Sequence, residues 1–343
     1  MSEPIEVKSL PKEQLNTWLA NLNRYNIYGP VDREEYTEFA HIKDPSELDL
    51  TIRNTFVSPK RLIFSQTKNM IRYDLNKDLP EIHEELGKDD NGREQLLIGI
   101  RPCDAHGFAY LDPTFDAEFK DPYYLSKRKN TTLIGLACNV PDMNCFCSSV
   151  GGGPFDTKGL DILMVDLGST FILNIYTDKG KVLVESSPDV FTKPSSEQLQ
   201  RLDELQATAN TTQTRKMETD GKPEKLGEMF ESDYWDNISK KCLGCGICTY
   251  LCPTCYCFDI TDEKWGTQGV RVRTWDSCMY PEYTVHASGY NPRPARMNRL
   301  RNRVYHKFKY YPELYDIFGC TGCGRCIRHC PVNIDIIDII NFI

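Results

Sequence analysis

The chain is 343 residues long, enough for about two domains that each bury a core. Its 41 Lys and Arg against 49 Asp and Glu leave a net charge of -8, which argues against a general binder of nucleic acid or of anionic membranes. The 15 cysteines are the unusual count, and an odd number does not pair completely into disulfides.

Residues 1–10 (MSEPIEVKSL) lack the apolar core of a secretory signal, and no stretch approaches the ~18 apolar residues that span a bilayer. A soluble, cytoplasmic protein is expected, in a reducing compartment where thiolates stay free to bind metal.

Leu15, Trp18, Leu19 and Leu22 recur at helical spacing after Ser9 and Pro11, which predicts a short amphipathic helix. From Tyr25 to about Asp74 the pattern is one of short strands and turns, as at residues 26–30 and 61–64, and residues 81–87 read as a helical turn. Residues 96–100 (LLIGI) and 131–137 (TTLIGLA) are compact apolar runs, with a helix predicted between them at 104–111. That order reads as strand, crossover and parallel strand, whose carboxyl ends deliver Cys103 and Cys138 to one place. Residues 160–165, 170–176 and 181–185 read as three further strands, separated by Gly168 and by a turn at 178–180.

Cys103, Cys138, Cys145 and Cys147 are the four cysteines that precede residue 242. Four thiolates without a histidine pattern suit iron–sulfur or zinc. A third [4Fe-4S] site is the preferred reading, with structural zinc as the alternative; His106 reads as a satisfied residue rather than a ligand. Residues 151–155 (GGGPF) lack both the dinucleotide fingerprint and the lysine of a P-loop, and read as a turn leading away from the metal loop.

Ser195 and Gln198 fit a capping box ahead of a helix face made by Leu199, Leu202 and Leu205. Residues 206–223 are Thr-rich and aperiodic and are read as a linker between a domain at 1–205 and another at 224–343. Leu226, Met229, Phe230 and Ile238 predict a helix that leads into the cysteine-rich region.

Cys242, Cys245, Cys248 and Cys252 precede Pro253, and Cys320, Cys323, Cys326 and Cys330 precede Pro331. Both runs are C-x2-C-x2-C-x3-C-P, in which three thiolates hold one [4Fe-4S] cluster and the fourth cysteine ligates the other. The expected sets are therefore Cys242, Cys245, Cys248 with Cys330, and Cys320, Cys323, Cys326 with Cys252. Structural zinc does not call for this run twice. Sixty-seven residues (253 to 319) separate Cys252 from Cys320, an insertion into the two-cluster unit. Within it, residues 291–310 carry Arg293, Arg296, Arg299, Arg301, Arg303, Lys307 and Lys309 and no acid. That basic run reads as a solvated helix face, a docking patch for an acidic partner, or charge compensation for anionic clusters. Prolines confine any helix there to the part after Ala295. Cys278 reads as a buried inert thiol; Cys255 and Cys257 stay open between alternative ligands and tuning neighbours. The fold class is α+β: a mixed α/β N-terminal domain and a mostly helical, ferredoxin-like two-cluster C-terminal domain.

Residues 98–105 (IGIRPCDA), 121–124 (DPYY), Cys138 with 144–147 (NCFC), 252–257 (CPTCYC), 275–278 (WDSC) and the two cluster runs together resemble the iron–sulfur (beta) subunit of soluble sulfhydrogenases and its iron–sulfur counterpart in anaerobic sulfite reductase. The resemblance runs from about Ser58 to the C-terminus. It implies an electron carrier in an anaerobic hetero-oligomer, placed between an FAD subunit that exchanges electrons with NAD(P)H and a terminal catalytic subunit of hydrogenase or sulfite/sulfur reductase type. It also implies that the twelve cysteines named above are cluster ligands, with no catalytic residue in this chain. The competing readings are a flavin-binding catalytic subunit similar to the beta subunit of deazaflavin-reducing hydrogenases, and a zinc-stabilised scaffold.

Overall fold

The computed structural model describes residues 3–75, 81–84 and 92–343. Among these lie the strands β1 (Glu6–Pro11), β2 (Tyr25–Asp32), β3 (Thr37–His41), β4 (Thr67–Asp74), β5 (Glu81–Glu84), β6 (Glu94–Ile100), β7 (Thr131–Leu136), β8 (Ile162–Asp166), β9 (Thr170–Ile175), β10 (Phe258–Trp265) and β11 (Gln268–Trp275). Seven of them form a sheet in the order β1-β9-β8-β7-β6-β2-β3. Its centre is parallel, β2 with β6, β6 with β7 and β7 with β8, and the β6 with β7 pairing is the one the two apolar runs predict.

Side chains alternate across this sheet into two cores. Leu96 and Ile98 pack with Trp18 and Leu19 of the Leu15–Asn21 helix and with Leu183 and Val184 of the Asp178–Glu185 helix. Leu97 and Ile100 pack on the other face with Phe108 and Leu111 of the Pro102–Phe115 helix. The change of face between Ile98 and Ile100 comes from a bulge at Gly99, whose φ is +78°. A Cβ there would lie 2.7 Å from Leu50 and 3.1 Å from Pro30, so the bulge needs glycine. It aims the end of β6, and hence Arg101 and Cys103, at the carboxyl edge of the sheet.

Several elements differ from the sequence expectation. Residues 61–64 have the pattern of an extended segment, but Lys60–Ile63 is a helix that starts after Pro59. Residues 181–185 are not a strand: Thr177 accepts from the Gly180 amide and caps a helix over Asp178–Glu185, burying Leu183 and Val184 while Val182 faces out. The first part of the turn at 81–87 is β5, and 85–87 lie outside the described residues. The helix opened by the Ser195 and Gln198 capping box runs on to Thr212, so the irregular part of 206–223 starts at Gln213. The helix expected over 226–238 is two helices, Lys222–Glu228 and Tyr234–Ser239.

The region after residue 224 is helical apart from one hairpin, β10 with β11. Its inner strand pairs with β4, so β10-β11-β4-β5 is a sheet built from both ends of the chain. Arg273 of β11 pairs with Asp121, which caps the Pro122–Lys129 helix, and lies over the Phe64 ring. The remaining helices share a core of Trp235, Tyr305, Phe308, Ile336 and Ile340. No helix among the described residues is long and apolar enough to cross a membrane.

The two ends of the chain are also joined by a buried ion pair. Arg325, with its side chain 1% exposed, donates to Asp104 Oδ1 at 2.5 Å and Oδ2 at 2.8 Å, and to the Thr55 carbonyl at 2.8 Å. Removing one member leaves the other charge buried without compensation. Arg325→Met is expected to lower unfolding free energy by about 3–5 kcal/mol; an unchanged urea midpoint would show that the pair does not hold the halves together.

Candidate metal centres

The two cysteine loops share one backbone path. Gly244 and Gly246 have φ of +69° and +75°, and Gly322 and Gly324 have +65° and +74°. In each loop the first of these glycines directs its amide at the preceding thiol, Gly244 N to Cys242 Sγ and Gly322 N to Cys320 Sγ, both at 3.4 Å. A short helix follows each second glycine, Ile247–Tyr250 and Arg325–Arg328.

Tertiary packing brings the fourth cysteines across. Cys242, Cys245, Cys248 and Cys330 line one cavity of about 40 Å³ together with Cys326, Leu300 and Ile339. The Ile334 amide donates to Cys330 Sγ at 3.1 Å. Cys252 in turn is an electrostatic neighbour of Cys320, Cys323 and Cys326. Cys248 also adjoins Cys252 and Cys326, so the thiols of the two loops lie close together.

The basic run lies against these loops. Arg299, Arg301, Arg303 and Lys307 are all buried, so the reading as a solvated face does not hold. The Arg296–Tyr305 helix starts after Ala295, as the prolines require, and its cations cap carbonyls: Arg296 donates to Cys242 O, Arg299 to Met279 O and Arg303 to Cys248 O. A π-helical turn, His306–Tyr310, then turns Lys307 inward. Lys307 Nζ donates to Gly319 O at 2.7 Å and Thr254 Oγ1 at 2.8 Å, and stands 3.4 Å from Cys252 Sγ.

Burial pushes the Cys320 and Cys323 thiols up to about 12, because the surroundings penalise an anion. Cys252 is moved the other way, by a hydrogen bond from Cys255 and by the nearby Lys307. A bound metal would take up thiolates that burial alone disfavours. A single zinc needs its sulfurs about 2.3 Å from one point. Among the described residues no three Cys, His, Asp or Glu side chains converge in that way.

The third group forms at the carboxyl edge of the seven-stranded sheet. Cys103 lies in the first turn after β6 and Cys138 just after β7; with Cys145 they line a cavity of about 290 Å³. Cys147 does not line it but adjoins Cys138 and Cys145, and its Sγ accepts from Gln213 Nε2 at 3.3 Å. Arg101 gives its Nη groups to the Leu136, Ala137 and Ile52 carbonyls and reaches the Cys138 thiol. Its buried Nε has no hydrogen-bond partner, which suits a site that holds negative charge. His106 is buried, 3.0 Å from Asp156 and stacked on Tyr110, as expected of a satisfied residue.

This third group abuts the second loop. The Phe146 amide donates to Gly322 O, and Asn54 Nδ2 to Cys323 O, both at 2.9 Å. Residues 151–153 then turn the chain back so that Pro154 O accepts from the Cys138 amide. Cys278 is buried, as expected, and adjoins Cys257, while Lys60 Nζ donates to Cys255 O at 2.6 Å over the Trp275 ring. Lys60, Asn54, Gln213 and Arg325 carry no local motif, and sequence reading missed them.

The family described as "4Fe-4S dicluster domain" matches residues 241–334, which span both loops. "Sulfhydrogenase 2 subunit beta" of Pyrococcus furiosus is 32% identical over 317 residues, 92% of this chain and 91% of that protein. No solved structure matches.

A Cβ on Gly322 would lie 2.5 Å from both Cα and N of Cys147, at a positive φ. Gly322→Ala is therefore expected to destabilise by about 2 kcal/mol or more. Gly153→Ala, with nothing within 4 Å, serves as the control. Equal thermal midpoints for the two variants would show that the contact is not structural.

Proposed function

The chain belongs to the family of sulfhydrogenase beta subunits, and we propose on that premise that it is the electron-transferring iron–sulfur subunit of an oxidoreductase complex. Cys242, Cys245, Cys248 and Cys330 would hold one [4Fe-4S] cluster, and Cys320, Cys323, Cys326 and Cys252 a second. Cys103, Cys138, Cys145 and Cys147 would hold a third. Such clusters supply one-electron transfer at potentials set by charge, hydrogen bonds and solvent exposure.

The observation that carries this reading is the cavity shared by Cys330 and the first loop. Cys326 and Cys330 of the second run meet Cys242, Cys245 and Cys248 of the first there, and the crossed ligation of two-cluster ferredoxins brings the fourth cysteine of one run to the loop of the other. The glycine amides donate to sulfur, Arg296 and Arg303 hold the loop carbonyls, and Leu300 and Ile339 supply an apolar wall. The Phe146 contact with Gly322 supports a continuous line from the third group through the second loop to the first. One end of that line opens at the Cys103 cavity, and the other reaches the surface at Cys245.

In this reading a flavin subunit that exchanges electrons with NAD(P)H docks at one end, and a terminal catalytic subunit of hydrogenase or sulfur-reducing type docks at the other. The complex works without oxygen in the cytoplasm. The name of the Pyrococcus relative supports a multi-subunit assembly.

Protein purified without oxygen is expected to show broad iron–sulfur absorption and paramagnetic signals after dithionite; a stoichiometric flavin band would overturn the carrier role. Cys145→Ser is expected to lower iron by about four atoms per chain, and full iron in that variant would remove the third site. Cys330→Ala is expected to abolish the signal of the cluster held by the first loop, not its neighbour; the opposite pattern would show uncrossed ligation.

A further inference from the structure

Four cations of the basic run are buried, and they are not alike. Arg301 has a carboxylate, Glu231, at 3.6 Å, and Arg299 is spent on three backbone carbonyls. Arg303 and Lys307, one helical turn apart, are 5% and 4% exposed, and among the described residues neither forms an ion pair with an acid. A buried charge needs an opposite charge or a full set of dipoles. Lys307 donates to Gly319 O at 2.7 Å and Thr254 Oγ1 at 2.8 Å, and Arg303 to Cys248 O; the nearby groups able to carry negative charge are cysteines.

The two residues face different sets. Lys307 Nζ stands 3.4 Å from Cys252 Sγ and has Cys320 as a further electrostatic neighbour, both in the set completed by the second loop. Arg303 lies between the sets: it donates to Cys248 O, reaches the Cys326 thiol and lines the cavity of Cys242 and Cys330. Its buried Nε has no hydrogen-bond partner.

We propose that Lys307 and Arg303 set the redox potentials of the two ferredoxin-type clusters, Lys307 acting on the Cys320, Cys323, Cys326 and Cys252 cluster alone and Arg303 acting on both. The proposal rests on the cluster reading given above. Reduction adds an electron to an already anionic group, and a fixed cation close to its sulfurs stabilises the reduced form more than the oxidised one. Both are positioning residues in this scheme, and neither is a ligand.

The test is a redox titration of the full chain, purified without oxygen and followed by electron paramagnetic resonance, together with iron and sulfide content. Lys307→Gln is expected to move one component to a more negative midpoint and leave the others in place. Arg303→Gln is expected to move two. Lys307→Arg, which keeps the charge, is expected to stay close to the parent. Unmoved midpoints at full iron overturn the proposal, as does Lys307→Arg shifting as far as Lys307→Gln, since packing and not charge would then be responsible. Where the neutral variants lose iron, retention of iron by Lys307→Arg and Arg303→Lys supports the proposal, and equal loss in those variants overturns it. A parent chain without iron or sulfide overturns the cluster reading itself and this inference with it.

Discussion

Main chain against main chain at Gly322 and Gly324 is the contact on which the arrangement of the three cysteine groups depends. Any side chain at Gly322 would strike the backbone of Cys147, and one at Gly324 would strike Asn144 O at 2.6 Å. Two loops from distant parts of the chain thus approach as closely as polypeptide can, and Phe146 seals the contact with a hydrogen bond. The same glycines supply left-handed turns, and Gly322 aims its amide at the Cys320 sulfur. One residue type therefore satisfies a local need and a tertiary one in the same loop.

Around that contact the interior manages charge unusually. Arg325 is matched by Asp104 in a bidentate pair, and that pair links the helix after β6 to the second cysteine loop. Arg296 and Arg299 are matched by carbonyl dipoles. Lys307 and Arg303 also hold carbonyls, of Gly319 and Cys248, and in addition stand beside the Cys252 and Cys326 thiols. Cations face a region that is otherwise apolar, and the thiols inside it are pushed toward their neutral form by burial. An anionic group held by those sulfurs reconciles the two tendencies.

The α/β sheet serves as a platform for the third group. Its parallel centre delivers Cys103 and Cys138 at the carboxyl edge, where open α/β sheets place their ligand sites. The Gly99 bulge and the buried Arg101 fix the geometry there. The hairpin β10 with β11 adds strands to β4 and β5, so the insertion between the two cysteine runs contributes structure to the N-terminal part rather than hanging free.

The local features were readable in the sequence because short spacing carries them: both C-x2-C-x2-C-x3-C-P runs, the apolar runs of β6 and β7, the Ser195 and Gln198 capping box and the prolines ahead of the Arg296–Tyr305 helix. Residues 181–185 misled because β-branched residues suit a strand, while a Thr177 cap and burial on one side made a helix. Which way the basic run faced could not be read either, since a π-helical turn and packing against distant loops decide it. Asp104 and Arg325 are 221 residues apart, and nothing local in either marks the other. The amino-acid order by itself determined the two cysteine loops and their left-handed glycine turns, because those depend on short spacing and glycine freedom. Only the tertiary structure decided which cations lie beside which thiols, because burial and charge pairing are properties of the packed interior and not of any one segment.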